Sequence, residues 1–189
     1  MSTRRRSRPS PAEPPGRAAS SLWAVAVLAL GTGLSGCSAG GESDDAVTPG
    51  APKLMTVDEL RSYASQRPGL EYWLGDMPGA RLELTQTSRG LVFLRYLRGD
   101  AEVGDQRPLF TTVGSYPQRN AFALARRAGR RPGRVTRPVA DGGIASWSRA
   151  RPTSVYVTFP ASDFLVEVYD PDARRARSLA VSGRLKPVL

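Results

Sequence analysis

The chain of 189 residues contains no histidine and a single cysteine, Cys37. Without histidine, neither a Ser-His-Asp nor a Cys-His arrangement can be assembled, and the common zinc sites lose their main ligand. One cysteine excludes an internal disulfide framework. Lysine is almost missing as well: Lys53 and Lys186 stand alone among 27 basic residues. No Gly-x-Ser-x-Gly elbow, Ser-x-x-Lys, phosphate-cradling glycine loop or dinucleotide fingerprint is present, so the sequence calls for no cofactor and offers neither a nucleophile-and-base motif nor a metal-ligating set. Nor is there an uninterrupted apolar run of about 20 residues, the length a comfortable membrane span needs.

What is present begins with an asymmetric N-terminus. The formal charge is +10, of which residues 1–36 carry +4 through Arg4, Arg5, Arg6, Arg8 and Arg17 against Glu13. A short apolar run, Leu22–Leu30, follows the basic stretch and leads to Leu34-Ser35-Gly36-Cys37. A positive region followed by an apolar core of this length is the pattern of an export signal. The Arg4-Arg5-Arg6 run lies far from the apolar core and lacks hydrophobic residues just behind it, so it is discounted as a twin-arginine signal.

The tetrapeptide Leu34-Ser35-Gly36-Cys37 resembles the bacterial lipobox, an aliphatic residue and two small ones before cysteine. Small side chains at Ser35 and Gly36 let an extended backbone enter a narrow peptidase cleft. The Cys37 thiol is the chain's one strong nucleophile for a thioether to diacylglycerol. The resemblance implies cleavage before Cys37 by signal peptidase II and attachment to the outer face of the cytoplasmic membrane. Two acyl chains hold firmly where one binds marginally, because each buried CH₂ contributes about 0.8 kcal/mol. Two other readings of the same segment stay open: an uncleaved anchor over Leu22–Leu34, and a conventional secretory peptide with an unmodified cysteine.

The sequence therefore divides into a signal over 1–36, a polar and Gly/Pro-rich tether over 37–52, and a folded domain over 53–189. The tether has almost no apolar content with which to order itself. In the domain, Thr56-Val57-Asp58-Glu59 is a capping box that opens a helix ended by Pro68-Gly69. Strands are expected at 70–74, 81–87, 91–97 and 109–116. A second helix is expected from Asn120 as N-cap to Gly129, then strands at 134–139, 144–148, 154–159 and 164–169, with Gly142-Gly143 as a turn. A third helix is expected from Asp170-Pro171 to Gly183. The fold class is α+β, an antiparallel sheet with helices on one face. A tandem helix-plus-four-strand repeat over 55–117 and 118–189 is one reading of the restart at Asn120; a single undivided domain is the other. Tyr72-Trp73-Leu74-Gly75, Val113-Gly114-Ser115-Tyr116-Pro117 and Val168-Tyr169-Asp170-Pro171 resemble segments of uncharacterised lipoproteins of high-GC Gram-positive bacteria, a resemblance that implies no activity.

Two features could carry function. Arg126, Arg127, Arg130, Arg131, Arg134 and Arg137 form the densest charge cluster and suit anionic headgroups, teichoic-type cell-wall polymers or an acidic envelope protein. Nucleic acid is not expected outside the membrane, and no base-stacking motif accompanies the arginines. A solvated helix end, where cations favour the C-terminal dipole, explains them equally simply. Glu83, Glu167 and Asp163 lie on or beside strands and offer two acids for a hydrolase pair, and the same residues also fit the wet face of a strand. Strand aromatics such as Tyr72, Phe93, Tyr156 and Tyr169 are read as packing, with a platform for a small apolar or sugar-like ligand as the alternative. The expected protein is thus a lipid-anchored binding or interaction module rather than an enzyme.

Overall fold

The computed structural model describes residues 50–66, 72–160 and 162–188. Cys37, Leu34, Ser35 and Gly36, the rest of residues 1–49 and the expected helix stop at Pro68-Gly69 lie outside the described residues. The chain divides between Gly41 and Glu42, and all the described residues lie in the second unit.

The first described residue, Gly50, already pairs with the sheet. The Gly50 amide donates to the Gln86 carbonyl at 2.6 Å. Strand β1 (Lys53–Met55) then pairs antiparallel with β3 (Ala80–Gln86), Met55 opposite Leu82. Helix α1 (Val57–Ser65) starts at the expected capping box: Thr56 Oγ1 accepts from the Glu59 amide at 3.2 Å, and the Glu59 carboxylate accepts from the Thr56 amide at 2.6 Å. Its buried stripe is Leu60, Tyr63 and Ala64, spacings of three and four that share one helical face.

Strands β4 (Val92–Arg98) and β5 (Thr111–Pro117) complete the first meander. After α2 (Ala121–Gly129) come β6 (Arg134–Pro138), β7 (Ile144–Ser148), β8 (Ser154–Thr158) and β9 (Phe164–Tyr169). The result is one antiparallel eight-stranded sheet, ordered β1-β3-β4-β5-β9-β8-β7-β6. Helix α3 (Ala173–Val181) follows, and β10 (Lys186–Pro187) pairs with β2 (Tyr72–Trp73) in a separate two-stranded sheet. The α+β class and the large antiparallel sheet are therefore as the sequence implies.

Because side chains alternate along each strand, the register assigns every residue to a face. One face carries Leu82, Leu84, Val92, Leu94, Tyr96, Val113, Val166, Val168, Val155, Val157 and Ala145. These belong to a single buried core together with Leu60 and Tyr63 of α1 and Ala176 and Ala180 of α3. Each fully buried leucine or valine there contributes about 1.5 to 3 kcal/mol. Tyr63 Oη closes the α1 contact by donating to Gln86 Oε1 at 2.5 Å.

Helix α2 departs from the expectation of helices on one face. A Cβ at Gly129 would lie 2.5 Å from Thr136 Cγ2, and Thr136 is in register with Ser146 and, through it, Tyr156, on the face opposite the main core. Of its apolar residues only Ala121 is fully enclosed, and Leu124 is exposed. This placement does not confirm the tandem repeat. The last strands of the two halves, β5 and β9, pair antiparallel, so a two-fold relating the halves would run normal to the sheet and keep equivalent helices on one face. Helices α1 and α2 lie on opposite faces.

Three local expectations are also corrected. Asn120 occupies the N-cap of α2 but in the left-handed region, φ 57°, with no side-chain cap hydrogen bond. Asparagine tolerates that conformation, and the chain needs it to turn from β5 into α2. The cap of α3 is Asp172, whose carboxylate accepts from the Arg174 amide at 2.8 Å; Asp170, the expected cap, is buried instead. The β6–β7 turn is centred on Asp141-Gly142 rather than Gly142-Gly143, with φ 55° and 69°, the paired positive values of a type I′ hairpin turn.

Candidate functional site

The second face of the sheet is covered only at its two ends. At one end residues 99–110 fold over β3 and β4, and Ala101 and Phe110 enclose Leu97 in a small separate core. At the other end α2 lies over Ser146 and Thr158, both buried. Between them Phe93, Thr112, Tyr116, Tyr156, Leu165, Glu167 and Tyr169 are half-buried.

The expected carboxylate pair is not formed. Glu83 sits on this face, yet it is wholly buried rather than part of a wet face. Its Oε1 accepts from Arg95 Nη1 at 2.8 Å and its Oε2 from the Gly104 amide at 2.6 Å. Arg95 in turn donates to the Asp105 carbonyl and lies 5.1 Å from the Phe110 ring centroid. Alternation along β3 gave no sign of this, because the cover comes from a polar loop about twenty residues further on. Glu167 is on the same face but three strands away, β3 to β9, which is about 14 Å at ordinary strand spacing. That exceeds the roughly 5 to 10 Å of a glycosidase pair. Asp163 serves the backbone: its carboxylate accepts from the Asn120 amide at 2.8 Å and its carbonyl from the Gln118 amide at 2.7 Å.

Glu167 forms a different grouping. It accepts from Tyr116 Oη at 2.6 Å and interacts with the Tyr156 hydroxyl. Burial, then the Glu167 charge, push the Tyr116 hydroxyl far above the ordinary phenol range, and the same causes raise Tyr156. Phe93 packs edge-on against Tyr116 with centroids 5.8 Å apart. The Tyr116 ring lies over Gly114, where a Cβ would come within 3.0 Å of the hydroxyl. Tyr116 was not among the candidate site residues that the sequence suggested. The available signal was a glycine two residues earlier in the same strand, on the same face, leaving the space the ring fills.

The structure separates the arginine cluster into distinct groups. Arg134 turns inward: its guanidinium carbon is 5.9 Å from the Tyr156 ring centroid and Nη2 donates to Ser146 Oγ at 3.1 Å. Arg126 and Arg130, at the end of α2, line an open groove of about 390 Å³ against β6, beside Gly129, Thr136, Pro138 and Ile144; Arg137, which borders the groove on the edge strand, stands opposite Ala145 on the other face of the sheet. Arg127 and Arg131 are exposed and outside the groove. None of Arg126, Arg130 and Arg137 has a carboxylate partner among the described residues.

Fold and surface together define an α+β domain with a closed core on one side of its sheet and a half-open, partly basic surface on the other. Comparison with protein-family models, with curated proteins and with solved structures gives no match.

Proposed function

We propose that this chain is a lipid-anchored lipoprotein of the extracytoplasmic face of the cell membrane, whose domain is a non-enzymatic binding module. The observation that carries the reading is the sole cysteine, Cys37, placed directly behind Leu34-Ser35-Gly36 at the end of a basic-then-apolar leader. The carboxylates that could have served a hydrolase argue on the same side. Glu83 is committed to Arg95 and Gly104, and Asp163 to the start of α2. Among the described residues Arg126 and Arg130 have no carboxylate partner, which favours anionic headgroups, wall polymers or an acidic envelope protein as ligands.

The test is metabolic labelling of the bacterially expressed chain with a palmitate analogue. The wild type incorporates the label and partitions into detergent; Cys37→Ala does neither. Equal labelling of the Cys37→Ala chain would refute the anchor.

A further inference from the structure

We infer that α2 is a hinged cover: residues 121–132 lift from the sheet as a unit while the strands stay folded, and so uncover Ser146 and Thr158. The three helices differ in what holds them down. Helix α1 buries Leu60, Tyr63 and Ala64, and α3 buries Ala176 and Ala180; both have side-chain caps, Thr56 and Asp172. Helix α2 buries Ala121 alone and has no side-chain cap. No side chain of residues 121–129 makes a hydrogen bond, an ion pair or a ring contact with another described residue. Apolar burial and paired polar groups fix a helix to a sheet, and a segment with little of either opens at low cost.

The surface beneath α2 points the same way. Strand β8 turns Val155 and Val157 toward the main core, where α3 lies against it, and Tyr156 and Thr158 toward the second face. Thr158 is fully buried, yet its Oγ1 has no hydrogen-bond partner. An unpaired buried hydroxyl is costly, and lifting α2 returns it to water. Ser146 stands opposite Tyr156, which interacts with Glu167. The surface uncovered is therefore continuous with the half-open face, and the position of α2 sets how much of that face a ligand can reach.

Both ends of the segment are held at residues with left-handed backbone. Asn120, φ 57°, has its amide held by the Asp163 carboxylate at 2.8 Å. Gly133, φ 76°, has its carbonyl held by the Arg149 amide at 2.9 Å. Between these points, among the described residues, the only backbone hydrogen bond from 121–132 to a strand is local, from the Arg134 amide to the Arg131 carbonyl. Rotation at the two ends swings the segment without breaking a sheet hydrogen bond, which is how terminal hinge residues work.

The test uses the full chain carrying Cys37→Ala, which removes the sole native thiol and makes the outcome independent of the anchor proposed above. Hydrogen exchange read by mass spectrometry is expected to show protection about 100-fold lower over 121–132 than over β8 and β9. Low urea should speed exchange in those strands and leave that of α2 nearly unchanged, because urea acts in proportion to the surface exposed on opening. A Gly129→Cys, Thr136→Cys pair suits a disulfide lock: the two Cβ positions lie 3.8 Å apart, and the mean for such bonds is about 3.8 Å. Oxidation should slow exchange over 121–132 about tenfold or more, and reduction should restore it. A thiol under the helix reports the uncovering itself. Ser146→Cys is expected to react with a soluble thiol reagent about 100-fold faster than Val157→Cys on the main-core side. Protection over 121–132 equal to that of the strands, or Ser146→Cys reacting no faster than Val157→Cys, would overturn the cover. Unchanged exchange after oxidation would overturn lifting as a unit in favour of fraying within the helix.

Discussion

Glu83 and Arg95 stand directly opposite each other on β3 and β4, with Oε1 and Nη1 2.8 Å apart and the carboxylate fully enclosed. The pair ties the sheet to the 99–110 loop, because the second Glu83 oxygen takes the Gly104 amide and Arg95 reaches the Asp105 carbonyl. Removing one member leaves a buried charge uncompensated. Glu83→Ala is therefore expected to cost about 3 to 5 kcal/mol in urea denaturation. The same substitution should also expose the loop to limited proteolysis near Val103. Wild-type stability in Glu83→Ala would show that the pair contributes nothing net.

Asp170 holds a comparable position at the start of the last helix. It is buried, accepts from Thr111 Oγ1 at 2.6 Å and from the Asp172 amide at 2.9 Å, and lies 3.2 Å from Arg175 Nε. Asp170→Ala strands those donors and is expected to destabilise by about 2 to 4 kcal/mol. Thr111→Val removes one donor and should cost less, about 1 kcal/mol. Chemical denaturation of both variants checks the order, and a larger loss in the threonine variant would contradict it.

The capping box of α1 makes a smaller prediction. Thr56→Ala removes the acceptor for the Glu59 amide and is expected to cost about 1 kcal/mol, with Thr56→Ser near neutral. A thermal melt of the two variants compares them directly.

Alkaline pH should unfold the domain through its tyrosines. Burial raises the Tyr96 hydroxyl to about 12 while it accepts from the Leu74 amide at 2.8 Å, and Tyr116 is pushed up by burial and by Glu167. In the unfolded chain these phenols ionise near 10, so above that pH the unfolded state binds fewer protons than the folded one. Their contribution is intact below pH 10 and falls as pH rises toward 12. Absorbance at 295 nm should show a tyrosine fraction that ionises only with unfolding. Full tyrosine titration by pH 11 in a folded protein would contradict this.

Acid acts on a different group. The Arg107 hydrogen bonds hold the Asp105 carboxyl at about 2. A depressed carboxyl stabilises the folded state above its ordinary value, near 3.8, and that contribution is lost as pH falls from there toward 2. Arg107→Gln should return the Asp105 carboxyl toward its ordinary value in an NMR titration.

Much of the sheet was legible because its signal is local. Strands β7 and β9 occupy the expected 144–148 and 164–169 without change, since β-branched and aromatic residues alternate there between clear turns. The short strands β1 and β10 were not legible. Two or three residues carry no periodicity, and their pairing depends on partners far along the chain.

The candidate surface was legible only as composition. Six arginines within twelve positions could be counted, but their grouping depends on where α2 lies. Arg134 packs over Tyr156, Arg126 and Arg130 line a groove against β6, Arg137 stands on the other face of the edge strand, and Arg127 and Arg131 are exposed.

By itself the sequence determined the α+β class, the absence of histidine and of any internal disulfide, and the basic-then-apolar stretch before Cys37. These follow from residue type and near-neighbour spacing. Tertiary structure alone decided that α2 crosses to the second face, that Glu83 is enclosed, and that Glu167 meets Tyr116 across β9 and β5. The physical reason is that burial and pairing are set by which distant segment covers a face, and alternation within a strand records only that two faces exist.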